Sequence, residues 1–224
     1  MYLIKTPWLL KKFYPKALIW NKPRNQKTIY LTFDDGPIPI VTPFVLKTLK
    51  KFNAKATFFC IGENIVKHTE IFDQLKADGH SVGNHTFNHL KGWATEDRVY
   101  LENIRKCQEI TKSSLFRPPY GRIKKSQIKN LMALSYKTQD NLQSSPISNL
   151  QTQISKIIMW DVLSGDFDTS LAPEKCLENV IKHTENGSIV VFHDSLKARE
   201  RLEFALPKAL EKWQAEGYQF AALV

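Results

Sequence analysis

From Thr28 onward, short runs of β-branched and aromatic residues alternate with amphipathic stretches, and that alternation constrains the fold more than any other feature of the chain. "TIYLTF" precedes an expected helix near Val41 to Phe52, and "KATFFCIG" precedes another near Glu63 to Asp78. After "HSVGN" a helix is expected from Thr95 to Lys112, its start marked by Thr95 and the acids Glu96 and Asp97. "LFRPPYG", "KIIMWDV", a helix from Pro173 to Thr184, "SIVVFH", a helix near Glu200 to Glu216 and "YQFAALV" complete the series. Continuous apolar strands separated by helices imply an α/β fold, a parallel sheet covered by helices, either a barrel or an open doubly wound sheet.

The barrel is favoured because polar residues recur where apolar runs stop. "TFDD", "GNH", "FRPPY", "MWD" and "VVFHD" all do this, and a (β/α) barrel builds its active site at the carboxyl ends of its strands. An open sheet would gather them at one crevice. No G-x-G-x-x-G follows the first strand and no G-x-x-x-x-G-K-[ST] occurs, so nucleotide readings lack their central feature. With 224 residues, 42% of them hydrophobic, one substantial core is expected, hence a single domain.

Residues 1–27 hold seven Lys or Arg and no acid, which leaves 25 basic against 22 acidic residues in the rest of the chain. The basicity therefore belongs to an N-terminal extension, in which Trp8, Phe13, Tyr14 and Trp20 are interleaved with lysines, ahead of a nearly neutral domain over 28–224. Either the aromatics pack on the domain while the lysines face water, or the segment makes a peripheral contact with an anionic membrane surface. Lys11, Lys12, Pro15 and Lys16 interrupt any secretory signal, and no run approaches the ~20 apolar residues of a membrane span, so the expected compartment is cytoplasmic, membrane-peripheral at most. Because the surplus charge is terminal rather than spread over the body, nucleic-acid binding is not expected, and no protein partner is indicated. Cys60, Cys107 and Cys176 are odd in number and far apart, and read as reduced, buried small hydrophobes. The Gln-, Ser- and Asn-rich segment 137–155 reads as a long surface loop.

"HTFNH" places His85 and His89 four apart, so a helical turn there would aim both imidazoles at one metal. Thr86 stands where a zinc protease of the H-E-x-x-H type needs its glutamate. The adjacent acids Asp34 and Asp35 leave their strand in different directions, with Gly36 and Pro37 keeping the turn tight. If one acid joins the histidines, three protein ligands leave a position for water. The other acid could then take that water's proton. His68, His80 and His183 have no partners at useful spacing and read as structural.

"TFDDGP", "HTFNH", "RPPY" and "VVFHD" occur in the order and spacing of the NodB-homology polysaccharide deacetylases, carbohydrate esterase family 4, which the chain resembles from Thr28 to Val224. The resemblance implies a distorted (β/α) barrel that holds one divalent metal ion and removes acetyl groups from an N-acetylated sugar or polysaccharide precursor. The ion is usually Zn2+, with Co2+, Ni2+ or Mn2+ as alternatives. It further implies Asp34 as catalytic base, and Asp35, His85 and His89 as metal ligands. Arg117 resembles the arginine that orients the base, Tyr120 the residue whose N–H faces the oxyanion, His193 the general acid and Asp166 its partner. Pro118, Trp160, Phe167 and Val191 fall at the substrate pocket, Val191 at its acetyl-methyl lining. The usual Asp-x-x-Asp-Trp aligns with "LSGDF", so Leu163 replaces an acid and Phe167 a tryptophan, and Phe covers less area.

Two other classes fit parts of this pattern. Two His and one carboxylate also form the facial triad of non-haem Fe(II) oxidoreductases, and a fold-retaining, non-catalytic carbohydrate-binding protein would keep the same architecture. Acetate release separates the first from a deacetylase, and a metal-loaded sample without hydrolysis would favour the second.

Overall fold

The computed structural model describes residues 2–140 and 154–224, with the backbone alone at 10 and 134–140. Its first half runs α1 (Trp8–Lys12), β1 (Leu18–Ile19), β2 (Thr28–Asp34), α2 (Val41–Lys51), β3 (Thr57–Cys60), α3 (Gly62–Lys67), α4 (Thr69–Ala77) and β4 (Ser81–Asn84). It continues with α5 (Asp97–Thr111), β5 (Leu115–Phe116), α6 (Lys125–Asp140), β6 (Lys156–Ile158), β7 (Val162–Leu163), α7 (Pro173–His183), β8 (Ile189–His193), α8 (Arg199–Ala215) and β9 (Gln219–Phe220). The strands follow the order β1-β6-β5-β4-β3-β2-β8-β7 around a curled sheet, with β9 attached to β2. Their ladders are parallel throughout. The expected distorted barrel is present, and its distortion lies between β1 and β7, the two ends of that order.

Strand β2 shows why the sheet sits as it does. Ile29, Leu31 and Phe33 belong to the core shared with Val41, Val45 and Leu49 of α2 and with Leu202, Leu206 and Leu210 of α8. Phe33 stacks on Phe58 of β3 and Phe192 of β8, with ring centroids 5.0 and 6.1 Å apart. The alternate residues Tyr30, Thr32 and Asp34 therefore face the barrel interior, because successive side chains in a strand point to opposite faces. Part of that interior is filled by Phe59, Leu115, Ile158, Ile189 and Leu223. Its upper end is left to Thr32, Asp34 and His193, polar groups at the carboxyl ends of β2 and β8. Truncating a wholly buried leucine of the helix-facing core, such as Leu206, would cost about 2–5 kcal/mol.

Three local expectations change. The helix expected over Glu63 to Asp78 is two helices, broken at His68, whose φ of −136° and ψ of 51° are not helical. "KIIMWDV" is two strands, β6 and β7, because the chain turns through Met159 to Asp161 between them. Helix α6 was not expected; it buries Ile128 and Leu131, a spacing of three that was legible in the sequence. It also takes in the start of the segment 137–155 expected as a surface loop; 141–153 lie outside the described residues, and Ile154 near its end is buried in the core.

The N-terminal segment is threaded into the sheet edge. Leu18 and Ile19 pair with Ile157 and Ile158, and Lys5 makes an antiparallel bridge to Val162. Its cations do not all face water: Lys5, Lys11 and Arg24 converge on the buried Asp161 at 2.7, 2.9 and 2.9 Å. Burial alone would raise the Asp161 carboxyl, but hydrogen bonds from Lys5, Lys11, Ser188 and Arg24 outweigh it and hold it well below the usual range. Tyr14 and Trp20 pack edge to face at 5.3 Å, whereas Trp8 and Phe13 stay 67% and 72% exposed. All three cysteines are buried and unpaired. His80 is buried, accepting from the Ala56 N–H, and the His183 ring lies 2.9 Å from the Asn179 carbonyl.

Candidate active site and metal centre

Asp34 ends β2 and is 4% exposed. Its Oδ1 accepts from Nη1 of Arg117 at 2.7 Å, and the same nitrogen donates to Thr32 Oγ1 at 2.7 Å. The rest of the guanidinium is committed to the carbonyls of Ile158 and Met159, at 3.2 and 2.9 Å, and it lies over the Phe59 ring. Burial lowers the Arg117 pKa and the charge of Asp34 opposes that shift, so the buried guanidinium has the counter-ion it needs.

Asp35 leaves the strand with φ of 85°, a left-handed conformation that costs a non-glycine residue energy and turns its carboxylate away from that of Asp34. Several contacts hold it there. Asn64 Nδ2 donates to the Asp35 carbonyl at 2.7 Å, Ile61 N–H to the Gly36 carbonyl at 3.0 Å, and Gly36 N–H to Asp194 Oδ1 at 3.0 Å. A Cβ at residue 36 would collide with the Asp194 carboxylate, so only glycine fits. Thr42 Oγ1 donates to Asp194 Oδ2 at 2.6 Å, and burial raises that carboxyl to about 8. Asp194 and Asn64 were not singled out from sequence; the acid directly after His193 was the only visible signal.

His85 and His89 reach Asp35 without a helix. The expectation that a helical turn would align them fails, since Thr86 and His89 have φ of 65° and 57°. Side chains hold the irregular loop instead: Asn84 Oδ1 accepts from Thr86 N–H, and Asn103 Oδ1 accepts from Phe87 and Asn88 N–H. Nε2 of His89 lies 3.2 Å and Nε2 of His85 3.7 Å from Asp35 Oδ1. The ligand-capable atoms of Asp35, His85 and His89 all lie within 4.8 Å of one another, the one such group among the described residues.

The donor chemistry fits a divalent ion. Nδ1 of His85 is 2.8 Å from the Arg117 carbonyl, so it carries the proton and leaves Nε2 with a free lone pair. Burial pushes His85 down to about 4, keeping it neutral, the form that binds metal. Burial alone would raise Asp35, but its hydrogen bond with His89 and the charge of His193 hold it well below the usual carboxylate range. Two imidazoles and a carboxylate make three ligands, which leaves room for water.

On the neighbouring strand, His193 sits opposite Asp34 in the β2–β8 register. Its Nδ1 lies 2.7 Å from Asp166 Oδ1, and its N–H donates to Asp166 Oδ2 at 2.7 Å. Burial would lower His193; the charge and hydrogen bond of Asp166, with smaller contributions from Asp35 and Asp34, raise it to about 9. Tyr120 has φ of 59° and places its ring 4.6 Å from that of His89. The Phe167 ring meets His193 edge-on at 5.3 Å. Pro118 and Val191 are buried, Val191 beside Thr32 and Leu163 in the ladders. Trp160 packs so close to Gly121 that a Cβ there would strike its ring.

A curled (β/α) barrel with two imidazoles, two separated carboxylates and a charged histidine at one end of its strands defines a hydrolase able to activate water beside a carbonyl. The chain belongs to the polysaccharide deacetylase family, whose model matches residues 21–138. It is 31% identical over 222 residues to a peptidoglycan-N-acetylglucosamine deacetylase of Bacillus cereus, covering 96% of this chain and 95% of the relative. A chitooligosaccharide deacetylase of Azorhizobium caulinodans is 34% identical over 179 residues, 76% of this chain and 75% of that protein. The crystal structure of a peptidoglycan N-acetylglucosamine deacetylase bound to an N-oxidanyl-benzamide superposes with a TM-score of 0.80 at 28% identity, covering 97% and 95% of the two chains. The chain is accordingly a hydrolase of carbohydrate N-acetyl amide bonds, and the oxidoreductase reading gives way to that membership.

Proposed function

We propose that the chain deacetylates N-acetylglucosamine units of a peptidoglycan-type glycan, with Zn2+ as the resident ion and Asp35, His85 and His89 as its ligands. The observation that carries this is the separation of the two acids: Asp35 within 3.2 Å of a histidine donor, Asp34 bound instead to Arg117. The ion would supply Lewis acidity, lowering the pKa of water and polarising the acetamide carbonyl.

Asp34, hydrogen-bonded to Arg117, takes the proton of the attacking water. The Tyr120 N–H is the proposed donor to the oxyanion, and loss of one such donor typically costs about 10²–10³ in rate. His193, held protonated by Asp166, gives its proton to the leaving nitrogen, so free amine and acetate depart. Val191, Pro118, Trp160 and Phe167 are the proposed walls around the acetyl group and sugar. The relatives named above support N-acetylglucosamine as the substrate unit. Acetate assayed from purified, zinc-supplemented protein on peptidoglycan, chitooligosaccharides and lipid-linked precursors tests this. Release from chitooligosaccharides alone would overturn the peptidoglycan assignment, and no release from any would favour the non-catalytic reading.

Residues 1–27 are proposed as an extension docked on the 28–224 domain that also touches an anionic membrane surface. The exposed Leu3, Trp8, Leu9 and Phe13 beside Lys12 and Lys16 support this. No helix among the described residues is long and apolar enough to cross a membrane. The cytoplasm is the proposed compartment, supported by three unpaired thiols. Cosedimentation with phosphatidylglycerol vesicles that persists after Trp8→Ala and Phe13→Ala would overturn the contact, and fractionation of cells tests the compartment.

A further inference from the structure

Residues 4–6 run along β7. Leu163 N–H donates to the Ile4 carbonyl at 2.8 Å, Thr6 N–H to the Asp161 carbonyl at 2.9 Å and the Thr6 hydroxyl to the Trp160 carbonyl at 2.9 Å. This path delivers Tyr2 to the loop after β7, where its ring centroid lies 4.9 Å from that of Phe167. The Tyr2 hydroxyl donates to Asp168 Oδ2 at 2.9 Å, while Asp168 Oδ1 is fixed by Ser170 Oγ at 2.7 Å and Ser170 N–H at 3.0 Å. Gly165, with φ of 83°, brings the loop so close that a Cβ there would lie 3.1 Å from the Tyr2 hydroxyl. Phe167 also meets the His193 ring edge-on, at 5.3 Å and an interplanar angle of 72°.

We propose that Tyr2 is a positioning residue of the acyl pocket: it holds Phe167 against His193 and so sets how large an acyl group the site accepts. This rests on the deacetylase reading above and extends the site to a residue outside the span matched to the family. The physical reason is size. A phenyl ring covers less area than an indole, and a half-buried phenyl needs contact on its outer face to keep one orientation. Tyr2 supplies that contact, and its hydroxyl is tethered to a carboxylate that is itself fixed on its other oxygen.

The test compares the full chain with Tyr2→Phe and Tyr2→Ala, using N-acetyl and N-propionyl chitooligosaccharides. Adding one methylene to the ligand of an apolar pocket changes discrimination by roughly 10–200-fold, so Tyr2→Ala should raise the propionyl-to-acetyl ratio of kcat/KM about tenfold, with Tyr2→Phe within about twofold of the parent. Metal content should be equal in all three. An unchanged ratio in Tyr2→Ala overturns the proposal. Independently of turnover, nuclear Overhauser contacts between the Tyr2 and Phe167 rings should be present in the parent. Their absence beside intact hydrolysis overturns the positioning role alone. Intact contacts without any hydrolysis overturn the deacetylase reading, and the selectivity claim with it.

Discussion

Asp34 and His193 face each other across the β2–β8 ladder, and each is tied to a different counter-ion, Asp34 to Arg117 and His193 to Asp166, at 2.7 Å in both cases. One position of the register thus holds a carboxylate paired with a guanidinium beside an imidazole that Asp166 keeps charged. The proposed proton acceptor and donor are therefore side by side, with the Asp35, His85 and His89 cluster adjoining them.

Asp34→Asn keeps the shape and removes the proposed base. Turnover should fall by about 10²–10⁴, the usual contribution of a positioned general base, while elemental analysis finds the metal content of the parent. Parental turnover in this variant would remove Asp34 from the proton-accepting role.

The alkaline limb of activity should report His193. Its folded pKa is raised to about 9, so the charged form persists at neutral pH, and the stabilisation of the Asp166 pair is complete below the ordinary histidine value. Both proton donation and that stabilisation are then lost as pH rises through about 9. Asp166→Asn removes the principal raising influence and should move the limb to lower pH. A limb that stays in place would show that another group sets it.

His89→Ala removes a proposed ligand rather than a supporting contact. Metal affinity measured by competition with a chelating dye should fall by more than the roughly 10–100-fold typical of outer-shell changes. Equal affinity would contradict the ligand set.

Asp161→Asn should loosen the N-terminal segment, since a buried carboxylate that binds Lys5, Lys11 and Arg24 is replaced by an amide. A loss of about 2 kcal/mol in urea unfolding is expected, the scale of one or two hydrogen bonds to a charged group. The Asp161 pKa is depressed, so its contribution is full above the ordinary carboxylate value of about 4 and fades as pH falls below it. Proteolysis within residues 1–27 should quicken in the variant; identical cleavage would show that the segment is held by other contacts.

Much of this arrangement was legible from residue order. Asp34, Asp35 and His193 sit where the apolar runs of β2 and β8 stop, and those strands, seven and five residues long and almost wholly buried, read as strands, whereas Arg117 and Asp166 follow two-residue strands and their roles came from the family resemblance. What escaped detection was non-local or too short to have a period. Two-residue strands such as β1 and β7 carry no alternation, and no glycine or proline marks the break at His68. The lysines of the N-terminal segment looked like a solvated face because their partner, Asp161, lies 150 residues or more from Lys5 and Lys11 in the chain. The clasp of Asp194 on Gly36 is equally distant, at a sequence separation of 158.

The most direct test of the account is a stoichiometric zinc titration of metal-free protein, with acetate release from an N-acetylglucosamine polymer measured at each point. The account predicts release that climbs in step with occupancy and levels off at one ion per chain. Full release before any ion is added, or none once one is bound, would contradict it.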